Sequence, residues 1–303
     1  MNNKVVIIGC GNVGMSYAYS LLNQKTYVNE LVLIDINKEK SLGEAMDLNH
    51  GLAYSPSKIN IYSGDYSDCR DAKIVVIAAG ANQKDGETRM DLIHKNSNIF
   101  KDIINNVMKN NFDGIFIIAT NPVDVLTYQT WKYSNLPYQK VIGTGTTLDT
   151  ARLRFEISDA ININTKNIHA YVLGEHGDSE FVSWSNSTVG VSDINDFLSE
   201  EEQQKIENNV RNAAYNIIDK KGNTSYGIGM SLTRITNAIL GDENTILTVS
   251  SYDMKEDDFI GEPTIINKSG AYKKIDLILT EQEQEKFNNS VEILKEAIEK
   301  IKV

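Results

Sequence analysis

The chain has 303 residues, 41% hydrophobic and 23% charged, with a net charge of −11. This is an ordinary globular mix, long enough for about two domains. The acidic balance excludes a nucleic-acid partner as the natural expectation, because phosphate backbones need a basic surface, but leaves room for a small anionic substrate held by a few buried cations.

Met1-Asn2-Asn3-Lys4 runs straight into an apolar strand, so no signal peptide is expected. Val5 to Ile8 is that strand, and it ends in glycines. Met15 to Leu22 reads as a helix, Leu31 to Ile34 as a second buried strand and Ser41 to Leu48 as a helix. Ile74 to Ala79 and Ile115 to Ala119 are further apolar strands, with a long helix from Asp91 to Asn110 between them. Unbroken apolar strands alternating with helices indicate a parallel sheet covered on both faces. Residues 1–144 therefore read as a doubly wound α/β domain of the Rossmann type.

From residue 145 the pattern changes to α+β, and 145–303 reads as a substrate domain. Leu148 to Ser158 is helical, and Ile168 to Leu173 alternates like one strand. Glu200 to Asp219 and Tyr226 to Leu240 are amphipathic helices. Ile246 to Ser251, Thr264 to Ile266 and Lys274 to Leu279 read as antiparallel strands, and Glu281 to Ile301 closes the chain as a charged helix. The boundary has no linker, so the halves are expected to pack closely around a cleft. Cys10 and Cys69 have neither metal-ligand spacing nor a disulfide framework. No apolar run reaches membrane-spanning length. A cytoplasmic protein without a metal or a membrane partner is expected.

Gly9-Cys10-Gly11-Asn12-Val13-Gly14 follows a strand and opens a helix. Such glycines permit a tight turn, close approach of backbone to a pyrophosphate and close helix–strand packing, with the helix N-terminus facing the phosphates. Asp35 stands at the end of the second strand, where a carboxylate accepts from the adenine ribose hydroxyls and repels a 2′-phosphate. This context points to NAD rather than NADP.

Four later segments concentrate polar residues. Gly80 to Arg89 follows a strand and is either a solvated loop or a mobile lid. Asn121-Pro122-Val123-Asp124 lies at the carboxyl end of a strand, where ligands bind in open α/β sheets. It also reads as a helix start, with Asn121 as N-cap and Pro122 as first helical residue. Asp149 and Arg152 share a helix face, as an ion pair or as a site. His176 sits between glycines in Gly174-Glu175-His176-Gly177-Asp178, after a strand.

Together these segments, with Gly222-Asn223-Thr224-Ser225-Tyr226-Gly227, resemble the L-lactate dehydrogenase family within the wider lactate/malate dehydrogenase group, over essentially the whole chain. The resemblance implies that His176 donates the proton to the substrate carbonyl, an imidazole being suited by its unperturbed pKa of about 6.5. It implies that Asp149 orients His176, that Arg152 grips the substrate carboxylate in a two-pronged bond, and that Arg89 polarises the carbonyl from the lid. Gln83, Asn121, Asp124 and Thr224 match substrate-contacting positions. Gly9, Gly11, Val13, Gly14, Asp35, Lys40, Tyr66, Gly80, Ala81, Ala119, Thr120, Asn121 and Thr144 match positions that hold NAD.

Malate dehydrogenases similar to this group carry arginine where this chain has Gln83, so a substrate with one carboxylate is implied: pyruvate and L-lactate. Asp85 and Asn223 depart from the usual proline and alanine, and Thr224-Ser225-Tyr226 is similar to 2-hydroxyisocaproate dehydrogenases. Broader 2-hydroxy acid specificity, malate dehydrogenase activity and a non-catalytic NAD-binding sensor are the other readings. Arg154 and His169 match positions where allosteric bacterial relatives bind fructose 1,6-bisphosphate across a subunit interface. A homotetramer is implied.

Overall fold

The computed structural model describes residues 2–81 and 89–301, except for the side chains of residues 89–92. Chain order begins β1 (Lys4–Ile8), α1 (Asn12–Asn23), β2 (Glu30–Ile34), α2 (Lys38–Gly51), β3 (Asn60–Ser63) and β4 (Ile74–Ile77). It continues with α3 (Arg89–Met108), β5 (Ile115–Ile118), α4 (Val123–Ser134) and β6 (Val141–Gly143). These six strands are parallel, in the order β3-β2-β1-β4-β5-β6. This is the doubly wound order, with its switch point between β1 and β4.

The unbroken apolar runs have a direct cause. Val5 and Ile7 enter one core with Leu31, Leu33, Ile74 and Val76, while Val6 and Ile8 enter the opposite core with Val32, Ile34, Val75 and Ile77. Side chains alternate across a strand, so a sheet buried on both faces must be apolar at every position.

After β6 come α5 (Thr147–Ile161), β7 (Ile168–His169), β8 (Val172–Leu173), β9 (Phe181–Val182), β10 (Thr188–Val189) and β11 (Ser192–Asp193). Then follow α6 (Glu200–Lys221), α7 (Tyr226–Leu240), β12 (Thr245–Asp253), β13 (Asp258–Asn267), β14 (Gly270–Lys274) and α8 (Glu281–Ile301). Helix α6 carries a capping box at Ser199 and Glu202 and ends at Gly222, which has φ +82°. Helix α7 returns to pack on α1. Gly229 permits the approach, since a Cβ there would meet the Ser16 carbonyl carbon at 2.7 Å, and Tyr17 Oη bonds Thr236 Oγ1 at 2.6 Å.

Three expectations are corrected. The segment from Ile168 to Leu173 is two short strands, because β7 pairs with β10 and β8 pairs with β9 in a different sheet. Its alternation is genuine, but the chain changes partner midway. The last strand is Gly270–Lys274 rather than Lys274 to Leu279. An edge strand needs little apolar character, and its end is fixed by Lys274 pairing with Asp253 and Glu262. The strands β12, β13 and β14 are antiparallel as expected, and β12 pairs with β6, so among the described residues one nine-stranded sheet runs through both halves. Finally, α4 starts at Val123 with Pro122 as its N-cap, one residue later than expected, after a cis Asn121–Pro122 bond.

Candidate active site

The glycine turn is built as its chemistry requires. Gly9 has φ +105°, and a Cβ there would meet Ala79 N at 2.5 Å, so the turn is tight against β4's exit. A Cβ at Gly14 would lie 2.1 Å from Gly9 O, so helix and strand touch through this residue. A Cβ at Gly11 would meet nothing within 4 Å; this glycine faces open space. Gly11 caps α1 without a side-chain bond, leaving the first N–H groups of the helix to a ligand. Asp35 Oδ2 accepts from Cys10 N at 2.8 Å and Oδ1 from Asn37 N at 2.9 Å. Each oxygen keeps a lone pair for a further donor.

Two adjoining cavities meet at this turn. One, of about 590 Å³, is lined by Gly9, Gly11, Asp35, Lys40, Tyr66, Gly80 and Ala81. The other, of about 500 Å³, is lined by Val13, Gly80, Ala81, Ala119, Thr120, Asn121 and Thr144, and on its far wall by Arg152, His176 and Thr224. The carboxyl ends of β4, β5 and β6 all open into it. These residues fit an extended dinucleotide: a carboxylate and apolar surfaces at one end, a helix N-terminus in the middle and polar side chains at the other. Of the expected set, Gln83 lies outside the described residues, as does the side chain of Arg89.

On the far wall, α5 presents Asp149 and Arg152 one turn apart. Arg152 Nη1 donates to Asp149 Oδ1 at 2.7 Å, and His176 Nδ1 lies 2.6 Å from Asp149 Oδ2. The histidine side chain keeps 24% exposure while Asp149 is buried. Burial opposes charge on His176, but Asp149 outweighs it, with Asp124 in support, and pushes the imidazole up to about 10. Burial would likewise raise Asp149, yet His176 and Arg152 hold it below the usual carboxylate range. The arrangement is a charged imidazole beside a guanidinium, facing the cavity.

Asp124 stands elsewhere than expected. It is buried behind the cavity, where its Oδ2 accepts from the His176 backbone N–H at 2.8 Å; burial pushes it up to about 6. It holds the histidine loop rather than lining the cavity. Two residues escaped sequence reasoning. Asn96 is buried on α3, takes Ala81 N at 2.8 Å on its Oδ1 and donates to Asn121 O at 3.1 Å, tying two cavity walls together. Its signal was a polar residue three places after Ile93 and four before Phe100, on the helix's apolar face. Glu180 is buried beside His176, four residues along. Both cysteines are free and buried. Among the described residues no helix is long and apolar enough to cross a membrane.

A doubly wound sheet with a glycine turn at its switch point, facing a His–Asp–Arg array, defines an NAD-dependent oxidoreductase. A family model described as lactate/malate dehydrogenase, NAD binding domain, matches residues 3–143. A second, lactate/malate dehydrogenase, alpha/beta C-terminal domain, matches 146–303. The chain belongs to the lactate/malate dehydrogenase family. It is 54% identical to an L-lactate dehydrogenase of Bacillus pumilus and 52% identical to one of a Geobacillus species, covering 98% of this chain and 97% and 96% of theirs. Among solved structures, a lactate dehydrogenase from a Medee basin deep-sea metagenome library superposes with a TM-score of 0.97 at 52% identity, over 100% of this chain and 99% of that one. The minor L-lactate dehydrogenase of Enterococcus mundtii gives 0.98 in its ligands-bound form, at 47% identity and 99% of its length, and 0.92 in its unbound form, at 45% and 98%; both cover 100% of this chain.

Proposed function

We propose that this enzyme interconverts pyruvate and L-lactate, with residues 1–144 holding NAD and 145–303 the substrate. The observation that carries the reading is the His176–Asp149–Arg152 array, whose His176 and Arg152 line the cavity with Thr224, opposite Asn121. Bound NADH supplies the hydride. His176, protonated and held through Nδ1 by Asp149, leaves Nε2 to donate to the carbonyl oxygen as charge develops there. Arg152 spends one amino group on Asp149 and keeps the rest of its fork for the substrate carboxylate. Arg89 is assigned the polarising role from the lid, and Gln83 the recognition of a neutral methyl side chain. Asn121 and Thr224 complete the pocket, and Leu148, Ala214, Ile218 and Ile228 give it apolar walls that limit water.

Initial rates of NADH oxidation with pyruvate, oxaloacetate and 2-oxoisocaproate test the assignment. Pyruvate should give the highest kcat/KM; a higher value with oxaloacetate or 2-oxoisocaproate would transfer the chain to the malate or broader 2-hydroxy acid branch.

The same proposal includes a cytoplasmic homotetramer activated by fructose 1,6-bisphosphate. Arg154 Nε lies 3.4 Å from Ala170 O, beside the strand carrying exposed His169, which supports a shared basic patch. Repeating the pyruvate titration with the bisphosphate should lower the half-saturating concentration. An unchanged curve would remove the effector from the reading.

A further inference from the structure

His176, Asp149 and Arg152 account for the proton and the substrate carboxylate, yet a second buried acid stands against them. Glu180 precedes β9, is 6% exposed, and its Oε2 lies 3.8 Å from His176 Nδ1. One ligating atom each from Asp149, His176 and Glu180 all lie within 4.8 Å of one another. Among the described residues two cations face this cluster, His176 and Arg152, and Asp149 holds both, at 2.6 Å and 2.7 Å. From α6, Arg211 approaches but bonds the Glu180 backbone carbonyl at 3.2 Å and the Glu207 carboxylate at 3.1 Å. From α4, Asp124 adds negative charge near His176. Glu175, also buried, binds the Ser179 hydroxyl.

Two carboxyl groups this close, both of them buried, do not both ionise. The one served by cations keeps the charge, and the other keeps a proton. Burial and the Asp149 charge both drive Glu180 in that direction, well above the usual range for a glutamate, while Asp149 is held low.

We propose that Glu180 is a neutral carboxylic acid at working pH and donates a hydrogen bond to Asp149, which makes it the positioning residue of the His176–Asp149–Arg152 array. Two consequences follow, and both rest on His176 being the proton donor. Asp149 is gripped from three sides, which fixes the imidazole's tilt. The array of two cations and one anion keeps a single positive charge, matched to a substrate with a single carboxylate. An ionised Glu180 would cancel that charge and oppose substrate entry.

The test uses the full-length enzyme with NADH. Infrared difference spectra at pH 7, with carbon-13 glutamate and Glu262→Gln as the background to remove the other raised glutamate, should show a protonated carboxyl band that disappears in Glu180→Gln and persists in His176→Asn. In kinetics, Glu180→Ala should lose roughly tenfold in kcat/KM for pyruvate, the scale of losing a group that orients a site residue, with NADH affinity retained. Glu180→Gln, which keeps a neutral donor, should recover most of that loss with an unchanged pH midpoint for pyruvate reduction. The proposal is overturned if the band is missing in the parent enzyme, if Glu180→Ala matches the parent, or if Glu180→Gln lowers the midpoint by a unit or more, as removal of a true anion would. Turnover that survives in His176→Asn would instead sink the catalytic reading, while the band still reports on Glu180.

Discussion

His176 is an ordinary histidine made unusual by one neighbour. Its affinity for a proton comes from Asp149 at 2.6 Å, against the opposing effect of burial. The sign for stability follows. A histidine whose folded pKa exceeds the unfolded value of about 6.5 adds stability that is complete below that value and is lost as pH rises towards 10. The sign for catalysis is the same: pyruvate reduction needs the protonated form, so its kcat/KM should hold from neutral pH and fall as pH rises towards about 10. Asp149→Asn should move that midpoint down by roughly 1–3 units, the range for removing an adjacent opposite charge, and cost on the order of a hundredfold in kcat/KM at pH 7.5. A pH–rate profile of both proteins checks this. An Asp149→Asn midpoint equal to the parent's would detach Asp149 from the proton.

At the scale of elements, the opening strand–turn–helix uses its three glycines for two different purposes. Gly14 has no room for a side chain, and Gly9 has neither room nor an ordinary φ. Gly11 has both room and an extended backbone, φ −79° and ψ −171°, that any residue adopts. Gly9 and Gly14 therefore serve the fold and Gly11 serves the ligand. Gly14→Ala should destabilise the protein by about 1–3 kcal/mol, the usual range for overpacking. Gly11→Ala should leave stability within about 0.5 kcal/mol while weakening NADH binding at least tenfold. Thermal melts paired with fluorescence titration of NADH separate the two; equal melting losses would erase the distinction. The GxGxxG spacing identified this unit from sequence, because each glycine answers a local demand. Nothing local told the Gly11 requirement from the Gly14 requirement, since that difference depends on what lies across the turn.

Across the whole molecule, β12 joining β6 makes one sheet of both halves, and acids lie buried on β13 and on α4. Burial pushes Asp258 and Glu262 up to about 7 and Asp124 up to about 6. Each binds its proton more tightly folded than unfolded, so their contribution to stability falls as pH rises from about 4 to about 7, opposite in sign to the salt-bridged Asp149 and Asp253. Asp258→Asn, which removes the charge that ionises above that window, should raise stability at pH 8 by about 1 kcal/mol and change it little at pH 5. Denaturant midpoints at the two pH values read this directly, and a gain confined to pH 5 would reverse the sign.

Sequence by itself determined what depends on neighbours in the chain. Strand runs, helix periods, the glycine turn and the order of the polar segments sufficed for the doubly wound class, the cofactor and the family. Asp149 and Arg152 were legible as a pair because three residues on a helix fix their proximity. Tertiary structure decided what depends on approach between distant segments. It set Asp149 against His176 across 27 positions, moved Asp124 from the cavity wall to the back of the histidine loop, and split one alternating segment between two sheets. Glu180 shows the limit most clearly. It lies four residues from a histidine that the sequence had singled out, yet its chemistry arises from a carboxylate on helix α5, and no local pattern records which of two buried acids the cations will reach.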